Sequence, residues 1–136
     1  MSISLSPRPS PIAGTWYPGN PRARAAAVDG YIERAALPEL AGKLVAVIAP
    51  HAGYVYSGPV AGYAFAAVRQ AAREFDLVAV ISPMHQPYRE PLLTTAHRAY
   101  VTPLGEVAVD RETLNAIDAA LQARLGAGLS AVTADQ

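Results

Sequence analysis

Apolar residues form two short unbroken runs in the first two thirds of the chain. Residues 44–49 read Leu-Val-Ala-Val-Ile-Ala, and residues 77–82 read Leu-Val-Ala-Val-Ile-Ser. Continuous apolar runs with β-branched residues are typical of strands that are buried on both faces of a sheet. A helical pattern that we expect to begin at Ser57-Gly58-Pro59 separates the runs and completes a strand–helix–strand unit. We therefore predict an α/β fold with a mostly parallel sheet and flanking helices.

Capping residues predict two further helices. Asn20 followed by Pro21 is a helix start, and Pro38 should lie beyond the end of that helix. Asp110 should cap a helix over residues 111–125 that Gly126 ends. The other predicted elements are an irregular proline-rich arm at the amino terminus and short strands at 92–95 and 106–109, on either side of a turn near 103–105.

Histidines follow both apolar runs. His51 comes after Pro50, and His85 comes shortly after Pro83. Because parallel strands of such a unit end at the same edge of a sheet, we predict that the two imidazoles meet there and share one metal ion. Imidazole binds zinc, iron and copper. The alternative, that each is a surface-loop histidine bonded to backbone or solvent, stays open on these residues alone.

Other polar and aromatic residues carry weaker signals. His97 has no comparable placement and should be structural or exposed. Ser57 lacks the surroundings of a hydrolase nucleophile, so we expect it to cap the helix that begins at Pro59. Glycines near Ser57 do not have the spacing of a nucleotide-binding loop. A wall of aromatic side chains is a further expectation, formed by Trp16, Tyr17, Tyr54 and Tyr56.

Composition narrows the partners and the compartment. Hydrophobic residues make up 51% of the chain and charged residues 16%, so we expect association through exposed apolar surface. Eleven Lys and Arg balance eleven Asp and Glu, which argues against nucleic acid as a partner. The chain has no cysteine, no recognisable signal peptide and no long apolar run. We therefore predict a cytoplasmic protein that does not contact membranes.

The segment 50–58, Pro-His-Ala-Gly-Tyr-Val-Tyr-Ser-Gly, resembles the Memo family, which in prokaryotes is protein B of the AmmeMemoRadiSam system. Three more blocks, at 13–18, 82–85 and 102–107, agree with that family in the same order. The resemblance covers nearly the whole chain. It implies one Memo-like domain over 1–136 that corresponds to the amino-terminal part of the family, and we expect truncation at the C-terminus.

The resemblance also implies a site. Memo proteins are similar in fold to class III extradiol dioxygenases, whose iron is held by two histidines and a carboxylate. By resemblance, His51 and His85 are the metal ligands and Trp16 and Tyr54 line the cleft. Gln86 stands in this pocket where the family usually has another histidine. A third ligand comes late in family sequences and is absent from this chain.

Two functions follow as hypotheses. The first is a metal-binding protein with a dioxygenase-like cleft, in which a divalent ion, iron or copper by resemblance, supports redox activity. The alternative is a non-catalytic module that binds a peptide or small molecule in the same cleft, or an inactive truncated fragment. These hypotheses leave open whether the chain is an enzyme.

Overall fold

The computed structural model describes residues 6–71 and 74–133. The chain divides into two compact units. We call Ile12–Ala79 the helical unit, and Met1–Pro11 together with Val80–Gln136 the strand unit. Each is described by itself, and the prediction of a single domain over 1–136 stays a prediction.

The helical unit begins with helix α1, Pro21–Glu33. The Asn20 side chain accepts a hydrogen bond from the Ala23 amide at 3.1 Å, and Pro21 occupies the first helical position, where its missing amide costs no hydrogen bond. The helix ends well before Pro38. The predicted start is confirmed, because it depends on residues that are neighbours in sequence, and the helix stops before Pro38 as predicted.

Helix α2, Tyr54–Gln70, begins earlier than the sequence predicted. Gly53 is its N-cap and makes no side-chain capping bond, while Pro59 lies inside the helix. The prediction that Ser57 caps a helix starting at Pro59 is therefore wrong. Pro59 removes only the amide that would bond the carbonyl of Val55, a residue exposed to solvent, so the helix extends through it.

The two helices pack through very small residues. The buried positions of α2 are Ser57, Gly58, Gly62, Ala66 and Ala67. A Cβ atom added at Gly58 would lie 2.6 Å from the Tyr31 ring, and one added at Gly62 would collide with the Tyr31 carbonyl oxygen. Glycine weakens a helix by roughly 0.5–1 kcal/mol relative to alanine. Here the glycines allow the α2 backbone to approach α1 directly. The contact between the helices is therefore formed by backbone close to the other helix and not by large side chains of α2.

The strand unit contains four short strands and one helix among its described residues. These are β1 Leu93–Thr95, β2 Ala99–Thr102, β3 Gly105–Ala108, α3 Arg111–Leu125 and β4 Ser130–Val132. Strand β1 pairs in parallel with β4, and β2 forms an antiparallel hairpin with β3. Parallel partners need a long crossover, and α3 lies within the connection from β1 to β4.

The sequence predicted most of this unit. Strands β1 and β3 and helix α3 are confirmed within about one residue at each end, a normal margin for element boundaries. Asp110 accepts a hydrogen bond from the Thr113 amide at 3.1 Å, and Gly126 adopts the left-handed conformation at φ 69°. Strand β1 pairs with β4 and β3 pairs with β2, and neither β2 nor β4 was predicted.

The two apolar runs differ most from prediction. Residues 44–49 and 77–82 are described, and neither run belongs to a strand. Ile48 is 98% exposed and Ile81 is 96% exposed. A strand requires a neighbouring chain to bond its amides and carbonyls, and an apolar pattern cannot supply one. The fold is mixed α/β, while a mostly parallel sheet and the dioxygenase-like architecture are not confirmed.

None of the helices in residues 6–71 and 74–133 combines the length and apolarity that a membrane-crossing helix needs.

Candidate functional site

The loop that carries His51 leads directly into α2. The Tyr54 amide donates to the Trp16 carbonyl at 2.9 Å, and a Cβ added at Gly53 would lie only 3.2 Å from that same oxygen. The Ser57 hydroxyl donates back to the Ala52 carbonyl at 2.8 Å. The backbone that follows His51 is therefore held from two directions, while the His51 side chain is exposed.

Tyr54 belongs to a cluster of aromatic rings. Its ring centroid lies 5.6 Å from that of Tyr17 and 5.9 Å from that of Tyr31, whose hydroxyl donates to the Tyr54 carbonyl at 3.2 Å. The Arg24 guanidinium carbon lies 4.1 Å from the Tyr17 ring centroid and 5.8 Å from that of Tyr54. The helical unit thus holds Tyr54 half-buried beside a cation.

The predicted aromatic wall is partly present. The structure brings together Tyr17 and Tyr54, and it bonds the backbones of Trp16 and Tyr54. The Trp16 side chain is 53% exposed, and Tyr56 is 83% exposed. Sequence analysis missed Arg24 and Tyr31, although their spacing of about two helical turns puts them on the same side of α1 and could have indicated a shared surface.

His85 and Gln86 lie in the strand unit, on an irregular segment after residues 77–82, and both side chains are exposed. His51, Trp16 and Tyr54 lie in the helical unit. The prediction that the two imidazoles share one ion, with Gln86 in the same pocket, stays a prediction.

His97 is the third histidine, and it is buried. Its Nδ1 lies 3.3 Å from the Ser6 carbonyl oxygen and its Nε2 lies 3.4 Å from the Thr133 carbonyl oxygen. The ring therefore contacts the backbone of two segments that are distant in sequence. This confirms the expectation that His97 is structural or exposed, and the structure selects the structural reading.

A metal centre needs several donors in one place. Within residues 6–71 and 74–133, no three side chains among His, Asp and Glu are grouped so that they could hold a metal ion. Two imidazoles fill half of a tetrahedral zinc shell and less of an octahedral one. The described residues therefore do not fit a complete metal centre, although imidazole itself suits iron or copper.

Comparison with known proteins identifies the family. The family model described as Memo-like protein matches residues 8–129. The chain belongs to the Memo-like family. This confirms the resemblance that the segment around His51 indicated, and it covers both units of the fold. Membership of the family explains why the chain contains these sequence blocks. It does not test the role of any single residue.

The relatives include proteins from archaea, a bacterium and a eukaryote. A MEMO1 family protein of Pyrobaculum aerophilum is 38% identical over 81 residues, which cover 60% of this chain and 28% of that protein. One from Archaeoglobus fulgidus is 34% identical over 106 residues, 78% of this chain and 37% of that protein. The Saccharomyces cerevisiae MEMO1 family protein MHO1 is 29% identical over 109 residues, which cover 79% of this chain and 32% of that protein. The chain spans about a third of the length of these Memo relatives.

Proposed function

We propose that His51 and His85 are ligands for a divalent metal ion in a Memo-family cleft. The observation that carries the proposal is the setting of His51. Its ring is exposed, while the backbone beside it is held by Trp16 and Ser57. A ligand for an external ion needs an accessible ring on a fixed backbone, because a mobile donor loses entropy when it binds.

The donor set limits what this chain does by itself. Iron or copper bound to imidazole would supply Lewis-acid or redox chemistry. No catalytic step follows from two histidines, since the remaining coordination positions need donors that the described residues do not group together. We therefore propose weak metal binding for these residues, and redox or dioxygenase-like activity would need further donors beside the two histidines.

Calorimetric titration of the full 136-residue chain with Cu²⁺ tests the proposal. His51→Ala and His85→Ala should each remove most of the binding, because each deletes one of two strong donors. Affinity should also fall on acidification, since imidazole must be neutral to bind a metal. His97 provides the matched control, because its ring nitrogens face backbone carbonyls. His97→Gln should therefore leave Cu²⁺ binding unchanged.

Far-UV circular dichroism must show that each variant is folded. If both alanine variants bind Cu²⁺ like the wild type, the ion lies elsewhere. If His97→Gln weakens binding as much as the other two, the loss comes from general disturbance of the fold.

A second candidate is a module that binds a peptide or small molecule without turnover. The observation in its favour is the cluster of Tyr17, Tyr31 and Tyr54, because aromatic rings are common in ligand pockets. Metal analysis of the purified chain separates the candidates. Ligand binding that persists in a chelator favours the binding module, whereas binding that requires the metal favours the first proposal.

A further inference from the structure

The two apolar runs, at 44–49 and 77–82, present backbone groups that a further strand could bond. Within residues 6–71 and 74–133, no backbone–backbone hydrogen bond includes a residue of either run, and neither run belongs to a helix or a strand. Their amides and carbonyls are therefore left to water or to another chain. A row of such groups is a template on which a second chain can pair as a strand.

The side chains of the runs are open to a partner as well. Val45 is 88% exposed and Val80 is 84% exposed, beside the almost fully exposed Ile48 and Ile81. Each run has six residues, a common strand length, and contains no proline, glycine or charged residue. Short exposed segments of this composition favour pairing between chains.

The flanks of both runs limit the pairing to these residues. Lys43 precedes the first run and Pro50 follows it, while Asp76 precedes the second run and Pro83 follows it. Charged residues disfavour stacking of identical strands, and proline removes an amide donor. A pairing partner is therefore expected to cover six residues in each run.

A second copy of the chain fits these runs. The two runs share the five residues Leu-Val-Ala-Val-Ile, so either run of one copy meets nearly the same sequence in another. Identical strands that carry no charge do not repel each other when they stack. The formal net charge of the whole chain is zero, which removes the general repulsion that keeps copies of a charged protein apart.

The surface of the chain is also large enough for such contacts. The accessible area is 9882 Å² for a mass of 14.3 kDa. Two compact bodies of half that mass would together expose about 8,200 Å² by the scaling for folded monomers. A standard interface removes roughly 800 Å² from each partner, which is less than the difference between these two areas.

We propose that the apolar runs pair with the same runs of further copies of this chain and form an intermolecular β-sheet. Each added strand leaves a new open edge, so the sheet grows beyond a dimer. Pairing needs copies to meet and therefore depends on concentration, whereas dilute protein keeps the runs exposed. The pairing does not depend on metal binding by His51 and His85.

Sedimentation of the full 136-residue chain at increasing concentration in EDTA tests the proposal. Assemblies should form above a threshold concentration and should diffract at about 4.7–4.8 Å and about 10 Å, the spacings of paired strands and stacked sheets. A chain that stays monomeric up to its solubility limit, or assemblies without these spacings, would overturn the proposal. Neither result bears on the metal proposal, because EDTA removes free metal.

Lysine variants locate the contact. Val45→Lys/Val80→Lys puts one charge into each run, so stacked copies would hold like charges side by side, and the threshold should rise about tenfold or more. Val55→Lys/Val60→Lys is the matched control, since it adds the same charge at two exposed valines of α2. It should shift the threshold by less than about twofold, in the range of screened surface charge. Equal shifts would contradict pairing through the runs.

Proline variants separate strand pairing from apolar contact. Ala46→Pro/Ala79→Pro removes one amide donor from each run without loss of apolar surface, so the threshold should rise. Ala41→Pro, at an exposed position in an irregular segment, is the control and should leave it unchanged. If the double variant assembles like the wild type, apolar contact alone joins the copies and the proposal is wrong. Far-UV circular dichroism checks that each variant is folded.

Hydrogen exchange on the wild type does not depend on the folding of any variant. Amides of both runs should exchange rapidly in dilute protein, because no described backbone carbonyl bonds them, and slowly in the assemblies. The amides of α3 are the internal reference, since they are bonded within their own helix in both states. Rapid exchange of both runs inside the assemblies would assign the contact to another surface and overturn the proposal.

Discussion

The contact between α1 and α2 and the apolar runs at 44–49 and 77–82 are opposites. At the helix contact the buried residues are as small as Gly62, yet the backbones touch. The runs are far more hydrophobic, yet Ile48 and Ile81 are almost fully exposed. The difference teaches that a partner of complementary shape decides burial, because apolar residues gain nothing until another surface removes them from water.

The largest effect should come from Gly62→Ala. The new methyl group would collide with the Tyr31 carbonyl, and backbone cannot rotate aside as a side chain can. Overpacking of this kind costs about 1–3 kcal/mol, which exceeds the gain of about 1 kcal/mol in helix propensity. The free energy of unfolding, measured by denaturant titration, should therefore decrease.

Gly30→Ala is the control for that change. A methyl group at Gly30 would meet only the guanidinium end of Arg34, which can move. Unfolding free energy should stay equal or rise by up to about 1 kcal/mol through helix propensity. If Gly62→Ala is as stable as Gly30→Ala, the close approach of the two helices is not needed.

Tyr31→Phe should have an intermediate effect on the same contact. It keeps the ring against α2 and removes the hydroxyl that donates to the Tyr54 carbonyl at 3.2 Å. A net loss of about 0.5–1.5 kcal/mol is typical of one such hydrogen bond. Thermal unfolding of the variant checks this, and a melting temperature equal to the wild type would assign the role of Tyr31 to packing alone.

Acid should weaken the N-cap of α3, a local feature outside the helix contact. The Thr113 amide and then its hydroxyl bond the Asp110 carboxylate and lower its pKa. Because the pKa of Asp110 is lowered in the folded protein, the stabilisation is complete above the ordinary Asp pKa of about 3.9. It is lost as the pH falls from that value through the lowered pKa of the folded protein. Asp110→Asn should keep the cap and lose the pH dependence, because Asn caps about as well as Asp.

Far-UV circular dichroism from neutral pH to about pH 3 follows this loss of helix, which should be smaller than the effects at the helix contact because Asp110 is fully exposed. Equal acid sensitivity of the wild type and Asp110→Asn would show that other groups cause it.

The smallest effect should come from Ile48→Ser. This side chain is 98% exposed, so its removal costs no packing, and changes at such positions stay within about 0.5 kcal/mol. Denaturant titration beside Gly62→Ala makes the comparison direct. A loss above about 1 kcal/mol at Ile48 would show that the run at 44–49 is covered in solution, and the contrast between the two regions would disappear.

The candidate site was predictable only in part. The block around His51 was enough to indicate the Memo family, because short contiguous motifs need no three-dimensional information. The neighbours of Tyr54 were not all visible in this way. Arg24 comes 30 residues earlier in the numbering, and only folding brings its guanidinium to the rings of Tyr17 and Tyr54.

By itself the sequence determined the start of α1 and both ends of α3. Asn20, Asp110 and Gly126 act on amides and carbonyls within a few residues, so their effect does not depend on the rest of the chain. Only the tertiary structure decided that α2 starts at Tyr54, where the Trp16 carbonyl receives its amide, and that β1 pairs with β4. These features depend on contacts between segments far apart in sequence, whose partners no local pattern specifies.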